Sequence, residues 1–423
     1  MKKKTIILVS TLDTKGVEAA FLKKLIQERG HRVILLDTNT GGEPSLPPDI
    51  SAGEVAKAGG GDIQVIRKMK DTEKAYGLMI EGAVKKVKGL LEKGELDGII
   101  SFGGASNTAV ATTIMKSLPF GIAKVMLSST AAMPAYAGGY FGTKDIAILH
   151  SVVDIAGLNS LVRDVLQRAA GMICGMVEMG EGPAILSREK KKDLIALTEF
   201  KFSEECSSHV RHLLEEKGFQ VIPFHAQGIS DRAMEELIEE GFFQGVVDIV
   251  PAGVGEELLG GNRAAGPRRL EGAGKMGIPQ IITPCGFDML SCGPLERKER
   301  EDPLWVSRGL KNRKLFIPDA FRVQARTTSG ELKEVAREVA KKLNKAKGPV
   351  MVLVPLRGWS SLDKEGMPLY DPEADKAFVQ GLKTQLDPRI SIIDLDLHLN
   401  THEFAQEAVN RFLKLYEGNK RKE

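Results

Sequence analysis

The sequence is poor in cysteine, carries almost no net charge and lacks long apolar runs. Its cysteines form neither a CxxC pair nor a grouping with histidine at metal-ligand spacing, so we expect reduced core residues: Cys174, Cys206, Cys285 and Cys292. A net charge of +3 over 423 residues produces no field that would steer nucleic acid to the protein. Nucleic acid is therefore not an expected partner.

No segment approaches the roughly 18 apolar residues that a helix needs to cross a bilayer. The N-terminus, MKKKTIILVSTLDTKG, begins with basic residues, but its apolar run is too short for a signal peptide. These two absences predict a cytoplasmic protein with no membrane partner.

Three familiar active-site motifs are also missing. There is no Walker A motif, because GAGKM at Gly272 lacks both the earlier glycine and the Ser or Thr after the lysine. No GxGxxG follows the first predicted strand, and no GxSxG elbow occurs. These absences argue against a conventional P-loop ATPase and an ordinary dinucleotide dehydrogenase.

The pattern that remains is typical of an α/β protein. Short apolar runs rich in β-branched residues alternate with amphipathic stretches, as in βαβ units around a parallel sheet. One such stretch, residues 17–29, predicts a helix with a single apolar face. The strands predicted in the first half are residues 5–10, 32–36, 98–102, 124–128 and 146–153.

The chain is longer than one hydrophobic core usually supports, so two domains are expected. Aligning Ser10 with Thr198 places Gly30 opposite Gly218, and both segments have the pattern strand, helix, glycine, strand. The halves are either duplicated doubly wound lobes or two βαβ units that merely look alike. Glycine, proline and charge at residues 179–192 predict a boundary between an N-terminal Rossmann-like lobe, 1–182, and a C-terminal Rossmann-like lobe, 190–423. Both sheets are expected to be mostly parallel.

Ligands in such sheets lie beyond the carboxyl ends of the strands. Four polar loops follow predicted strands of the N-terminal lobe there: Thr11, Leu12, Asp13, Thr14, Lys15 and Gly16; Thr38, Asn39, Thr40, Gly41 and Gly42; Gly103, Gly104, Ala105, Ser106, Asn107 and Thr108; and Ser128, Ser129 and Thr130. The third loop runs from two glycines into a helix, whose exposed N–H groups would suit a phosphate. The alternative is an ordinary strand-to-helix turn with a cap.

The first loop offers charge of both signs. Lys15 is a candidate to neutralise a phosphate, and Asp13 is a candidate to hold Mg²⁺ or to accept a ribose hydroxyl. The alternative is a helix cap beside a solvated lysine.

The second half offers further catalytic candidates. His225 follows a predicted strand as a possible acid or base, Glu256 lies in the predicted loop 251–261, and Arg357 is a possible anion ligand. Each also has a purely structural alternative. The alternating Asp394, Asp396 and His398, with His402 beyond them, allow a metal site, but we favour a solvated strand face and predict no metal.

Six motifs together resemble the ATP-binding domain family named after the tomato mosaic virus resistance protein, over nearly the whole chain. They are STLDTKG at Ser10, FGGASNT at Phe102, LPFGIAKVMLSST at Leu118, SVVDIAGLN at Ser151, FHAQGISDRAMEELIEEGFFQGVVDI at Phe224 and VPLRGWSSLDKEGMPLYDPEAD at Val354.

The resemblance implies two Rossmann-like lobes, a homodimer, and ATP bound by the first, third and fourth loops. The binding residues so implied are Thr11, Asp13, Thr14 and Lys15, Gly103 to Thr108, and Ser128 to Thr130. The family pattern Gly-Gly-Ser-Gly-Gly-Thr reads here with Ala105, Ser106 and Asn107 in place of Ser, Gly and Gly. A Cβ now occupies positions where glycine would allow a close approach or a positive φ. Asn107 is a mild substitution, because Asn tolerates that conformation, whereas Ala105 and Ser106 are expected to alter how phosphates fit.

Three hypotheses about function follow. The first is a protein that binds ATP or another phosphorylated ligand, alone or with Mg²⁺. The second is a metabolic enzyme acting on a small phosphorylated or carboxylated substrate between the lobes, with Asp13, Lys15, His225, Glu256 and Arg357 as candidates. The third is a binding module without catalysis.

Overall fold

The computed structural model describes residues 2–180, 182 and 192–421. The chain divides into two compact units, unit 1 at Met1–Glu189 and unit 2 at Lys190–Glu423. Most of the predicted boundary segment, residues 179–192, lies outside the described residues.

Unit 1 is built on a five-stranded sheet in which all neighbouring strands are parallel. The strand order is β2-β1-β3-β4-β5. The strands are β1 Thr5–Ser10, β2 Arg32–Asp37, β3 Gly98–Gly103, β4 Ala123–Ser128 and β5 Ala147–His150.

The helices of unit 1 cover both faces of this sheet, because its strands are apolar on both sides. They are α1 Leu12–Glu28, α2 Ala52–Ala58, α3 Ile63–Ile66, α4 Thr72–Glu92, α5 Ala105–Lys116, α6 Pro134–Phe141 and α7 Ser160–Met179. Helices α1 and α7 pack on one face, and α2, α4 and α5 pack on the other. Side-chain caps from Ser51, Asp71 and Asn159 begin α2, α4 and α7.

Unit 2 contains a six-stranded parallel sheet with the order β14-β13-β9-β8-β6-β7. Its strands are β6 Leu194–Glu199, β7 Gln220–His225, β8 Gly245–Asp248, β9 Gln280–Ile282, β13 Val350–Pro355 and β14 Ser391–Leu395. A small antiparallel sheet is inserted between β9 and β13, and it consists of β10 Met289–Ser291, β11 Leu315–Phe316 and β12 Gln324–Arg326.

The α-helices of unit 2 again lie on both faces of its large sheet. They are α8 Glu204–Glu216, α9 Ile229–Glu239, α10 Gly253–Leu259, α11 Gly272–Met276, α12 Pro303–Ser307, α13 Ser329–Leu343, α14 Pro372–Gln385 and α15 His402–Lys420. Short 3₁₀ helices occupy Lys201–Ser203, Leu295–Lys298 and Leu310–Asn312.

The predicted fold class is confirmed: both units are doubly wound α/β lobes with mostly parallel sheets. Each begins with the same order, since β7-β6-β8-β9 in unit 2 corresponds to β2-β1-β3-β4 in unit 1. This recurrence is what the internal alignment of the two halves predicts. The small antiparallel sheet breaks the correspondence, because it has no counterpart among the described elements of unit 1.

Several predicted boundaries were wrong at the ends of elements. Helix α1 begins at Leu12, five residues before the predicted start at Val17, because the polar residues after Thr11 form its first turn. Strand β5 covers only Ala147–His150, whereas residues 146–153 were predicted. The prediction for the cysteines is confirmed: all four are buried and free.

Candidate functional site

The carboxyl ends of β1 and β3 lie side by side in the sheet of unit 1. Strand β1 pairs with β2 on one side and with β3 on the other, so the chain leaves the two neighbouring strands toward opposite faces. A crevice opens at such a switch point in open α/β sheets. The first and third predicted loops begin here, immediately after Ser10 and Gly103.

The first predicted loop is in fact the first turn of α1, which corrects the expectation of an open loop. Thr11 is the N-cap residue, and its hydroxyl lies 3.3 Å from the hydroxyl of Thr14. Lys15 has non-helical dihedral angles, φ −123° and ψ 16°, and marks a kink. The helix begins early because a buried carboxylate at the end of β2 accepts a hydrogen bond from the first backbone N–H of the helix.

That carboxylate belongs to Asp37, the last residue of β2. Its Oδ1 accepts hydrogen bonds from the backbone N–H groups of Leu12, at 3.2 Å, and Asn39, at 3.0 Å. The amide of Asn39 donates to Oδ2 at 2.5 Å. Burial raises the pKa of Asp37, while these hydrogen bonds oppose the rise. An acidic side chain of the protein thus occupies the positive end of α1.

The two charged candidates of this turn already have partners within unit 1. The carboxylate of Asp13 accepts hydrogen bonds from the N–H of Thr14, at 2.9 Å, and of Gly42, at 3.2 Å. The ammonium group of Lys15 donates to the carbonyl of Ile155. Both residues therefore hold neighbouring loops at the carboxyl edge of the sheet.

Gly16 allows another loop to approach α1 closely. A Cβ atom at this position would lie 2.1 Å from the hydroxyl oxygen of Ser45. That hydroxyl donates to the carbonyl of Leu12 at 2.9 Å, and the backbone N–H of Ser45 donates to the same carbonyl at 3.0 Å. The glycine of the STLDTKG motif is therefore explained by packing.

The third predicted loop forms the exposed first turn of α5. Gly104 is the N-cap of α5 and has no side chain that could cap it, and the N–H of Thr108 donates to the carbonyl of Gly104 at 2.9 Å. The N–H groups of Ala105, Ser106 and Asn107 precede that first helical bond and have no helical acceptor. Ala105 and Ser106 are exposed. The start of α5 is therefore open to an anion, unlike the start of α1.

The side chain of Asn107 turns back onto the end of β3. Its amide nitrogen lies 2.5 Å from the carbonyl oxygen of Phe102 and 3.3 Å from the hydroxyl of Ser101, and it donates to both. Its Oδ1 is buried and has no hydrogen-bond partner in the described part of the chain. Gly103, at φ 151°, makes room, since a Cβ there would lie 2.9 Å from that of Asn107.

The expected disturbance at Ala105 and Ser106, with a milder one at Asn107, is corrected in one respect. These three residues lie inside α5, and none of them has a positive φ. Their Cβ atoms therefore cause no backbone strain. The left-handed region is not required at these positions, because the chain turns at Gly103.

A row of hydroxyl groups continues the site toward β4. The hydroxyl of Thr108 lies 2.8 Å from that of Ser128, which in turn lies 3.3 Å from that of Thr130. The Thr130 hydroxyl lies 3.0 Å from the phenol oxygen of Tyr140, a residue that the sequence analysis missed. The N–H of Ser129 donates to the carbonyl of Gly103 at 3.1 Å and joins the third and fourth loops.

The structure therefore brings the loop residues of unit 1 together at one sheet edge. The catalytic candidates of unit 2 are separate from one another. His225 is the last residue of β7 and lines a cavity, whereas Arg357 is exposed and forms two hydrogen bonds to the carboxylate of Asp396, at 2.7 and 2.8 Å. Residues 251–261 were predicted to be a loop, but most of them form α10.

Glu256 lies in α10 and is 1% exposed. Its carboxylate accepts hydrogen bonds from the backbone N–H of Ser291, at 2.9 Å, and of Arg263, at 3.5 Å. Burial raises the pKa of Glu256 to about 7. The group is thus enclosed by backbone and is not presented to a substrate.

A buried network in unit 2 was also missed. The guanidinium of Arg269 is fully buried and lies 2.6 Å from Asp248, 3.1 Å from Asp231 and 3.1 Å from Glu235. The hydroxyl of Thr198 donates to Asp248 at 2.7 Å. The contacts of this network join residues that are 21 to 50 positions apart along the chain, so no local motif indicates it.

The alternating acidic residues of β14 and its extension are engaged by basic side chains. Asp394 pairs with Lys383 at 2.5 Å, Asp396 pairs with Arg357, and His398 lies 3.1 Å from the carbonyl of Ser360. Over residues 2–180, 182 and 192–421, no group of three His, Cys, Asp or Glu side chains is arranged to hold a metal ion.

Comparison with known proteins places these features in a family. Residues 4–182 match the N-terminal domain, and residues 192–416 the C-terminal domain, of the uncharacterised protein family UPF0261. The chain belongs to the UPF0261 family. A UPF0261 protein of Clostridium tetani is 37% identical over 415 residues, which cover 98% of this chain and 99% of that protein. A Brucella suis member is 31% identical over 412 residues, or 96% and 94% of the two chains.

The resemblance inferred from the motifs is also confirmed. The ToMV resistance protein Tm-1(GCR237) of Solanum lycopersicum is 34% identical to this UPF0261 chain over 326 residues, which cover 76% of the chain and 42% of the plant protein.

Solved structures are only distantly similar. The UDP-GlcNAc 2-epimerase of Methanocaldococcus jannaschii, in complex with UDP-GlcNAc and UDP, has 11% identity and a TM-score of 0.23 over 97% of this chain and 93% of its own. The E. coli ADP-heptose lps heptosyltransferase II has 10% identity and a TM-score of 0.21 over 98% and 99% of the two chains. No functional argument follows at these scores. Among the described residues, no helix is long and apolar enough to span a membrane.

Proposed function

We propose that unit 1 binds a phosphorylated small molecule at the start of α5. The observation that carries the proposal is the contrast between the two helix starts at the switch point. Asp37 occupies the start of α1, whereas the start of α5 has no side-chain cap and is exposed. The N–H groups of Ala105, Ser106 and Asn107, which have no helical acceptor, and the helix dipole favour a phosphate there.

The hydroxyl row supplies further groups for such a ligand. Thr108, Ser128 and Thr130 continue from the helix start along the edge of β4. The Thr108 hydroxyl donates to the carbonyl of Gly104 at 2.8 Å and is buried with Ser128, so the half-buried Thr130 carries the most accessible hydroxyl of the row. The buried Oδ1 of Asn107, which lacks a partner among the described residues, accepts a donor from the ligand. This combination suits a phosphate ester that carries hydroxyl or amino groups.

ATP is the ligand that we propose, on the ground that the STLDTKG and FGGASNT motifs resemble those of an ATP-binding family. Asp13 is the acidic residue nearest in sequence to the start of α1 and is the candidate ligand for Mg²⁺ bound with the nucleotide. Its two backbone hydrogen bonds hold the carboxylate in place, at the carboxyl edge of the sheet. Lys15 lies in the same turn and is the candidate cation for the phosphates.

Calorimetric titration with ATP, ADP and inorganic phosphate, with and without Mg²⁺, tests the proposal. Gly104→Asp is the decisive variant, because an Asp at the N-cap accepts hydrogen bonds from the helix start and repels phosphate. A Cβ at Gly104 would meet only the Ser129 hydroxyl, at 3.8 Å, so the variant fits. We expect it to lose ATP binding while gaining only about a few tenths of a kcal/mol of stability, because glycine is itself a tolerated N-cap residue.

Two control variants separate charge from shape. Gly104→Ala adds the Cβ without charge and is expected to keep ATP binding. Gly89→Asp adds the same charge near the end of α4, where a Cβ would meet no atom within 4 Å, and is also expected to bind ATP. Absence of ATP binding by the wild type, or unchanged binding by Gly104→Asp, would refute the proposal.

A further inference from the structure

Unit 2 contains a pocket beyond the carboxyl ends of β6 and β7, at the edge where ligands bind in parallel sheets. Phe200 follows β6 directly, and His225 ends β7. The cavity has a volume of about 220 Å³. We call it the Phe200 pocket and define it by Phe200, Lys201, Phe202, His225, Gln227, Arg263, Phe316, Pro318, Arg322 and Gln324.

The charge on its walls is of one sign. Lys201, Arg263 and Arg322 line the pocket together with His225, and none of its lining residues is acidic. Arg322 is paired with Asp319 at 2.6 Å, but Lys201 has no ion-pair partner among the residues that the structure describes. The pocket therefore attracts an anion.

Two buried polar atoms in this wall lack partners. Gln324 is 2% exposed, and its Oε1 has no hydrogen-bond partner within the described ranges. The same holds for Nη1 of Arg263, although its guanidinium lies over the ring of Phe200, 5.6 Å from the centroid. Buried polar groups are normally paired, so an acceptor for Arg263 and a donor for Gln324 are missing.

Three aromatic rings form an apolar part of the pocket wall. The ring of Phe202 packs edge-on against Phe200, with centroids 5.2 Å apart, and against Phe316, with centroids 5.8 Å apart. Such a wall favours the apolar or ring-shaped body of a ligand.

We propose that the Phe200 pocket binds a small organic anion with an apolar body. A carboxylate or phosphate of the ligand meets Arg263, the body contacts the aromatic wall, and a hydroxyl or N–H group donates to Gln324. The volume of about 220 Å³ lies below the roughly 300 to 1,000 Å³ of typical drug-sized ligand pockets, so a complete nucleoside triphosphate is too large. This site is independent of the phosphate site proposed in unit 1.

Titration calorimetry of the full chain with 4-hydroxybenzoate, benzoate, phenyl phosphate and inorganic phosphate tests this assignment. The uncharged methyl ester of 4-hydroxybenzoate is included to test the need for charge. We expect the aromatic anions to bind saturably, 4-hydroxybenzoate more tightly than benzoate, and the ester to bind at least about tenfold more weakly.

The variants are chosen to separate binding from folding. Arg263→Met should weaken the binding of every aromatic anion, whereas Gln324→Leu should remove the preference for 4-hydroxybenzoate over benzoate. Gln280→Leu is the matched control, because Gln280 is also 2% exposed with an unpartnered Oε1 but does not line the pocket. Circular dichroism checks that each variant folds.

A second measurement is the chemical protection of Lys201 in the wild-type chain. Bound 4-hydroxybenzoate should slow the acetylation of Lys201 by acetic anhydride, followed by mass spectrometry, and should leave the exposed Lys217 unaffected. Gly104→Asp should retain these effects, which separates the pocket from the unit 1 site. Absence of saturable binding by all aromatic anions, or equal affinities in the wild type and both pocket variants, would overturn the proposal.

Discussion

The carboxylate of Asp37 accepts a hydrogen bond from the backbone N–H of Leu12 at 3.2 Å, and so joins the end of β2 to the start of α1. The start of α5, beside it at the switch point, has no such carboxylate. Because an anion favours the positive end of a helix, the protein neutralises one helix start itself and leaves the other open. This difference is the ground on which we propose the start of α5 as the phosphate site.

Asp37→Ala is expected to destabilise unit 1 by about 2 to 4 kcal/mol, because the N–H groups of Leu12 and Asn39 lose a buried charged acceptor. Hydrogen exchange of β1 and β2 peptides measures the loss. Asp71→Ala, which removes an exposed cap of α4, should cost only about 1 kcal/mol. Equal costs for the two variants would contradict the role given to Asp37.

Two substitutions of Asn107 should act on different quantities: Asn107→Asp mainly on ATP affinity, and Asn107→Gly mainly on stability. Asn107→Asp is expected to lower ATP affinity about tenfold or more, because it places negative charge beside the open helix start. Asn107→Gly removes the acceptor Oδ1 without adding charge, so it is expected to weaken ATP binding less than Asn107→Asp does. It should also lose about 1 kcal/mol of stability, through the lost bond to Phe102 and the flexibility of glycine. Calorimetry and hydrogen exchange distinguish the two. ATP affinity that is unchanged in Asn107→Asp would place the ligand elsewhere.

The buried Glu256 should make the stability of unit 2 depend on pH. Its pKa is raised from 4.5 to about 7 by burial, so the folded state binds the proton more tightly than the unfolded state. Stability should therefore fall by about 3 kcal/mol as the pH rises from about 4.5 to about 7. Urea unfolding followed by tryptophan fluorescence measures unit 2, where Trp305 and Trp359 both lie.

Glu256→Gln should remove this contribution, because an amide does not titrate. Glu257→Gln is the matched control, since Glu257 is the exposed neighbour in the same helix and should leave the pH dependence intact. The same dependence in the wild type and in Glu256→Gln would show that another group titrates.

Arg269→Met should destabilise unit 2 by about 3 to 5 kcal/mol or more, because it leaves Asp231, Glu235 and Asp248 buried without their cation. The adjacent Arg268 is 64% exposed and lies 3.5 Å from Glu239, so Arg268→Met should cost less than about 1 kcal/mol. Urea unfolding by fluorescence compares them. A small loss in Arg269→Met would mean that water replaces the guanidinium.

The sequence by itself determined the class of fold and much of its local structure. Alternating apolar and amphipathic stretches predicted the parallel strands, and the single apolar face of residues 17–29 predicted the helix that became α1. The glycines and hydroxyls after β3 and β4 marked the candidate site. These features depend on neighbours within a few residues, so periodicity and capping preferences reveal them.

Only the tertiary structure decided which of these groups are available to a ligand. Asp37 lies 25 residues from Leu12, and Lys15 lies 140 residues from Ile155, so neither partnership shows in a local pattern. The Phe200 pocket likewise depends on Gln324 from the inserted antiparallel sheet. Hydrogen bonds and ion pairs between distant segments form only after the strands are ordered in space, and they determine which polar groups remain unpaired.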